Sequence, residues 1–186
     1  MPLADALLQE FTYEAANTRK VLERVPDDKL DWRPHPKSFT MGQLATHVAR
    51  LSGWGLAALA SESYDLDPNE GPGKAAESRA ERLAFFDEGV ANFAAALKNV
   101  TDEQFMQTWT LTAGGRQIFA LPRIGVLRSM IFNHLVHHRA QLGMYLRLNG
   151  IPVPSIYGPT ADESLKWTPL DRPRDRRLVA YVEFLY

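Results

Sequence analysis

Five histidines, His35, His47, His134, His137 and His138, are the side chains here best suited to chemistry. His134 and His138 stand four residues apart, and a helix turns about 100° per residue, so on a helix both rings leave the same face and converge on one point. That is the geometry of a bidentate metal grip. With His134 at zero, Leu127, Ile131, His138, Leu142 and Tyr145 fall between roughly +20° and +80°, which places the pair in an apolar stripe. His137 falls near roughly −60°, at or beyond its edge, and ranks below the other two. His47 lies between Leu44 and Leu51 on an apolar face of its own, where an imidazole is costly to bury without a partner. A lone inward histidine is most often a hydrogen-bonded core residue. Three of them on two helices can be satisfied together by one shared ion, and three neutral imidazoles leave coordination positions open, as a catalytic site requires. His35, between Pro34 and Pro36, reads as an exposed or loop-packing residue.

Other chemistries are excluded by what is missing. No glutamate stands three residues before a histidine, which removes the carboxylate-bridged di-iron pattern of ferritin-like bundles. Leu135 follows His134, so there is no HExxH protease motif. The chain has no cysteine, hence no disulfide, zinc finger, iron–sulfur cluster or thiol nucleophile of its own. Its net charge of −1 offers no overall attraction to nucleic acid or anionic lipid, and neither is expected as a partner. The first residues carry Asp5 and Glu10 with no basic start, so no signal peptide is expected, and no apolar run approaches the roughly 20 residues of a membrane span. We expect a cytoplasmic protein of one domain over residues 1–186, with apolar residues at 45% and charged residues at 23%.

The elements that must position the histidines follow from periodicity. Residues Leu3 to Val25 have the spacing of an amphipathic helix, ended by Pro26-Asp27-Asp28. Leu30 to Pro36 is a proline-locked connector. Thr40-Met41-Gly42-Gln43 has the form of a capping box and predicts a helix to about Ser61, with Leu44, His47, Leu51, Trp54 and Ala58 inward. Tyr64 to Gly73 reads as a loop. A third helix is predicted from about Ala75 to Val100 on Leu83, Phe86, Val90, Phe93 and Leu97, with a loop opening at Thr101-Asp102-Glu103. Residues 107–112 and 116–120 flank Ala113-Gly114-Gly115 as a short β-hairpin. Pro122 suits the start of a fourth long helix ending near Leu148-Asn149-Gly150, and a short helix is predicted from Arg176 to Leu185. The fold expected is all-α: an antiparallel up-and-down four-helix bundle with a small β-hairpin inserted before the fourth helix, its site built from inward side chains on facing helices.

Four stretches, taken in order, resemble the DinB family of bundle metalloproteins. They are Leu30-Asp31-Trp32-Arg33-Pro34-His35-Pro36-Lys37-Ser38, Leu44-Ala45-Thr46-His47-Val48-Ala49, His134-Leu135-Val136-His137-His138-Arg139-Ala140-Gln141-Leu142, and residues Pro152 to Glu163. Ala140 departs from the glycine common there, and Leu170 to Tyr186 match nothing useful. The resemblance implies a four-helix bundle, metal ligands at His47, His134 and His138, a divalent ion such as zinc or nickel, and often a homodimer. It also implies relatives that use a low-molecular-weight thiol as cosubstrate, including transferases and a maleylpyruvate isomerase.

Three readings of function stand side by side. One is a metal-dependent enzyme that activates water or a low-molecular-weight thiol against a small-molecule substrate, of hydrolase or thiol S-transferase type, with catalytic residues unknown. The second is a non-catalytic metal-binding bundle, and the third a metal-free homodimeric interaction protein. Phe132, Val136 and Gly143, with Ala140 beside them, lie opposite the histidine stripe, and this second apolar face suits either a homodimer or intrachain packing. Arg172 to Arg177, interleaved with Asp171 and Asp175, read as a solvated surface. Asp162 and Glu163 read as solvated acids that could orient a ligand histidine.

Overall fold

The computed structural model describes residues 1–69 and 73–163. Helix α1 spans Leu3–Arg24 and α2 spans Met41–Ala60. The Thr40 hydroxyl accepts the Gln43 N–H at 3.1 Å while Gln43 Oε1 accepts the Thr40 N–H at 2.9 Å, which is the reciprocal cap expected from the sequence. Strand β1 is Ser63–Leu66 and α3 is Arg79–Leu97. Ser78 caps α3 by accepting the Glu81 N–H, so this helix begins four residues later than its periodicity suggested. A second capping box, Thr101 with Gln104, opens the short α4 (Asp102–Met106) where a loop was expected.

Strands β2 (Thr108–Ala113) and β3 (Arg116–Pro122) form the expected antiparallel hairpin. Gly114 and Gly115 turn it with φ of +56° and +76°, angles open to glycine and strained for other residues. The loop expected at Tyr64 to Gly73 is corrected over its first residues. There β1 pairs in parallel with β2 and makes a three-stranded sheet. Nothing in β1 alternates, since Ser63, Tyr64 and Asp65 are all exposed, and its pairing comes from the free edge of β2. The Asp65 carboxylate fastens it, accepting from the Thr112 hydroxyl at 2.6 Å and the Gly115 N–H at 3.1 Å.

The last long helix runs without leaving helical angles through α5 (Arg123–Val126), a π-helical stretch (Leu127–Asn133) and α6 (His134–Leu148). It ends at Gly150, whose φ is +69°. Both α3 and this helix pack against α1 and α2. Side-chain pairs give the directions. Arg82 reaches the Val25 carbonyl, Asp87 pairs with Arg19, and Phe93 meets Phe11 edge to face, so α1 and α3 are antiparallel. Thr46 accepts the Ala76 N–H, and a Cβ on Gly55 would come within 2.7 Å of the Phe93 ring, so α2 and α3 run the same way. Glu10 pairs with Arg128 and Glu14 with Arg139, making α1 parallel to the last helix. In chain order the helices therefore run up, down, down, up. The simple up-and-down order is corrected because Ser61 to Ser78 form a connection long enough to return α3 to the end where α2 began.

The core holds Leu7, Phe11 and Leu22 from α1, Leu44 and Leu51 from α2, Phe86, Phe93 and Leu97 from α3, and Leu127, Ile131, Leu135, Leu142 and Leu146 from the last helix. Each such side chain contributes about 1.5–3 kcal/mol by burial. Arg82 takes the inward place on α3 in addition to Phe86, Phe93 and Leu97, while Leu83 and Val90 are half-buried. On the last helix the buried face is centred on Leu135, Arg139, Leu142 and Leu146, leaving the histidine face at its margin. Two causes shift it from the expected stripe. The π-helical turns rotate the residues before His134 relative to a regular helix, and Arg139 is buried by pairing with Glu14 at 2.6 Å. Phe132, expected on the second apolar face, turns inward and packs against Phe11 at 6.0 Å between ring centroids.

Contacts divide the chain into Met1–Val153 and Pro154–Tyr186. In the second, Thr160 Oγ1 accepts from the Asp162 and Glu163 amides, and the Glu163 carboxylate holds the Ser155 N–H at 2.9 Å. The helix expected from Arg176 to Leu185 and the arginine cluster before it lie outside the described residues.

Candidate metal centre

Antiparallel packing of α2 against the last helix, fixed by Arg123 at one end and Tyr145 at the other, sets His47 opposite His134 and His138. Arg123 is buried and donates to the carbonyls of Ala58, Ser61 and Gln104 and to Gln107 Oε1, satisfying the open ends of α2 and α4. The Tyr145 hydroxyl donates to the Phe39 carbonyl at 3.3 Å, and its ring meets Trp32 at 5.3 Å. The proline-locked connector is thereby folded over one side of the histidines, with the Phe39 ring 6.0 Å from His47.

One ring nitrogen from each of His47, His134 and His138 lies within 4.8 Å of the others. The Nε2 atoms of His47 and His134 are 3.2 Å apart. Nitrogens bound tetrahedrally at 2.0–2.1 Å stand about 3.3 Å from each other, so this spacing fits a shared ion. The far side of each α6 ring is engaged. His134 Nδ1 lies 3.1 Å from the Met130 carbonyl, and His138 Nδ1 lies 2.7 Å from Gln141 Oε1. Both partners accept, so each Nδ1 carries the proton and each Nε2 presents its lone pair.

Burial first of all, and then the neighbouring imidazoles His138 and His134, lower His47 from the ordinary 6.5 to about 4. Burial also lowers His134 and His138, partly opposed by the bonds to Met130 and Gln141. At neutral pH all three rings are neutral, the form that binds metal. All three are half-buried, so the cluster stands at the wall of the bundle and not in its centre.

The remaining histidines are elsewhere. His137 is exposed and touches only the outer side of this group, its ring 4.8 Å from His138. His35 is an exposed loop residue whose Nδ1 accepts the Lys37 N–H. The partners missed in the sequence are Met130, invisible because it acts through its carbonyl, and Gln141, whose place three residues after His138 was the available signal. Trp54, expected in the core, is 41% exposed. It lines a cavity of about 160 Å³, together with Tyr64, Trp109, Phe119, Met130 and Ile131 among others, and Met130 stands one helical turn before His134. The sheet contributes Tyr64, Trp109 and Phe119 from positions far away in the chain.

The model of the DinB family matches residues 1–172. YrdA of Bacillus subtilis strain 168 is 26% identical over 164 residues, 88% of this chain and 93% of that protein. A DinB-like protein from Bacillus cereus ATCC 10987 superposes with a TM-score of 0.66 at 24% identity, over 82% of this chain and 97% of that one. YfiT from Bacillus subtilis, described as a probable metal-dependent hydrolase with an unusual four-helix bundle topology, superposes with a TM-score of 0.59 at 19% identity, over 79% and 87%.

Proposed function

The chain belongs to the DinB family, and from that premise we propose that His47, His134 and His138 hold one divalent ion, zinc or nickel, in a metal-dependent hydrolase. The observation that carries this reading is the convergence of three neutral imidazoles, two of them with Nδ1 already committed, on one half-buried point. A divalent cation there would supply the positive charge that makes water a nucleophile at neutral pH. The chain's part is to keep the rings deprotonated by burial and to fix their tautomers through Met130 and Gln141. The likeness to YfiT supports the hydrolytic direction.

A low-molecular-weight thiol as the activated group is a second reading, favoured by the absence of any cysteine in the chain. A metal-free, hydrogen-bonded histidine cluster is a third, favoured by the 3.2 Å approach of His47 to His134, which also suits an imidazole–imidazole hydrogen bond. A homodimer belongs to the proposal through the family resemblance. Light scattering should then give about twice 20.9 kDa, with Val136→Glu as the disruptive control.

Metal analysis of untagged protein tests the first reading. Near-stoichiometric metal, together with metal-dependent hydrolysis of simple esters, is expected. Equal metal content in wild type and the three histidine-to-alanine variants would remove it. A cobalt-substituted protein whose spectrum shifts on adding thiol would favour the second reading.

A further inference from the structure

We propose that the cavity walled by Trp54, Tyr64, Trp109, Phe119, Met130 and Ile131 binds an uncharged group the size of one aromatic ring, carried by the substrate whose reacting end lies at the histidines. The proposal rests on the histidine cluster being the reacting centre.

Four observations carry it. Every residue lining the cavity is uncharged, so a carboxylate or ammonium would be buried there without a partner. The volume, about 160 Å³, matches an apolar cavity of about 150 Å³ that admits benzene. The walls are two tilted ring pairs, Trp54 with Tyr64 at 6.2 Å and Trp109 with Phe119 at 6.3 Å, surfaces suited to an aromatic guest. Trp54 and Tyr64 are 41% and 42% exposed, which makes them the rim by which a ligand enters.

Continuity with the histidines comes from both helices. Trp54 stands seven residues beyond His47 on α2, two turns along the same side and about 10 Å away. On the antiparallel helix Met130 stands one turn before His134, its side chain lining the cavity and its carbonyl holding His134 Nδ1. A single π-helical stretch thus shapes the cavity wall and positions a candidate ligand. A substrate spanning both would carry its hydrolysable bond about one helical turn from the ring.

The test is a titration of the protein with benzyl alcohol, followed by tryptophan fluorescence, since Trp54 and Trp109 are in the wall. A saturable change is expected. Gly53 lines the cavity, and a Cβ there meets no atom within 4 Å, so Gly53→Leu adds bulk without a clash. It should weaken binding at least tenfold while leaving the thermal transition in place, and Trp54→Ala, at the exposed rim, should do the same. Non-saturable quenching, or equal binding by wild type and both variants, would overturn the proposal. The titration needs no metal and no turnover. Saturable binding without metal-dependent hydrolysis would keep the cavity and remove the hydrolase reading; metal-dependent hydrolysis with 3-phenylpropyl acetate, whose three-carbon spacer sets the ester about one helical turn from the ring, and methyl acetate equally affected by Gly53→Leu would keep the hydrolase and remove the cavity.

Discussion

Two polar clusters share the last helix, and neighbours in sequence belong to different ones. Arg139 is 2% exposed and spends its guanidinium on the Glu14 carboxylate, the Glu14 carbonyl and the Thr18 hydroxyl. His138, one residue earlier and about 100° round the helix, is half-buried, and its Nε2 is left to the group it shares with His47 and His134. The first cluster is closed by its own partners and ties α1 to the last helix. The second holds the far side of each α6 ring through Met130 and Gln141, and its near side brings three imidazoles together, with His47 Nε2 3.2 Å from His134 Nε2. What separates the two clusters is therefore charge: the guanidinium meets a carboxylate, whereas the second cluster gathers three neutral imidazoles that one shared cation would satisfy together.

That contrast can be broken from either side. Arg139→Ala should have the largest effect, leaving Glu14 buried without its partner and lowering stability by about 3–5 kcal/mol in urea denaturation. Metal bound per folded molecule should be unchanged. His134→Ala should do the reverse, lowering metal affinity by about 100-fold or more, roughly 3 kcal/mol, as read by competition with a chelator. The fold of the metal-free variant should persist. An Arg139 variant that loses metal while still folded would erase the distinction.

Acidification also probes the histidine cluster, with His47→Phe separating its part from that of the carboxylates. The folded value of His47, about 4, lies below the ordinary 6.5, so between these the unfolded chain binds more protons. The stability contribution is complete above pH 6.5 and is lost as the pH falls toward 4, on the order of 2 kcal/mol once partial exposure is discounted. Denaturation midpoints of metal-free protein across this range should fall with pH, and His47→Phe should flatten the dependence. Gln141→Ala removes the acceptor that orients His138 and should lower metal affinity about 10- to 100-fold. His137→Ala comes last, with changes within about 0.5 kcal/mol in both stability and affinity, as expected for an exposed side chain. A large effect there would place His137 at the ion and turn the helix face outward.

Much of this architecture was legible because it is local. Thr40 with Gln43, the glycine turn at 114–115, the spacing of His134 and His138, and the cap at Gly150 each depend on residues within a few positions, where helix and strand geometry leaves little choice. The same logic would have found α4 at Thr101 and Gln104. Trp54 was expected inward and is exposed, and the burial of Arg139 had no local signal. Residue type favours a buried tryptophan and an exposed arginine, but Glu14, 125 residues from Arg139, makes the arginine a core residue.

The sequence by itself determined where the four long helices lie, to within a few residues at their ends, and which histidines could share one face. Only the tertiary structure decided that α2 and α3 run parallel, that β1 joins the hairpin, that the histidines stand at the edge of the core, and that sheet and helices wall an aromatic cavity. The reason is one of range. Helical periodicity and capping follow from the covalent chain over a turn or two, whereas helix direction, the burial of Arg139 and the walls of the cavity are set by which distant segments pack together, and that choice minimises exposed apolar surface and unpaired polar groups over the whole molecule at once.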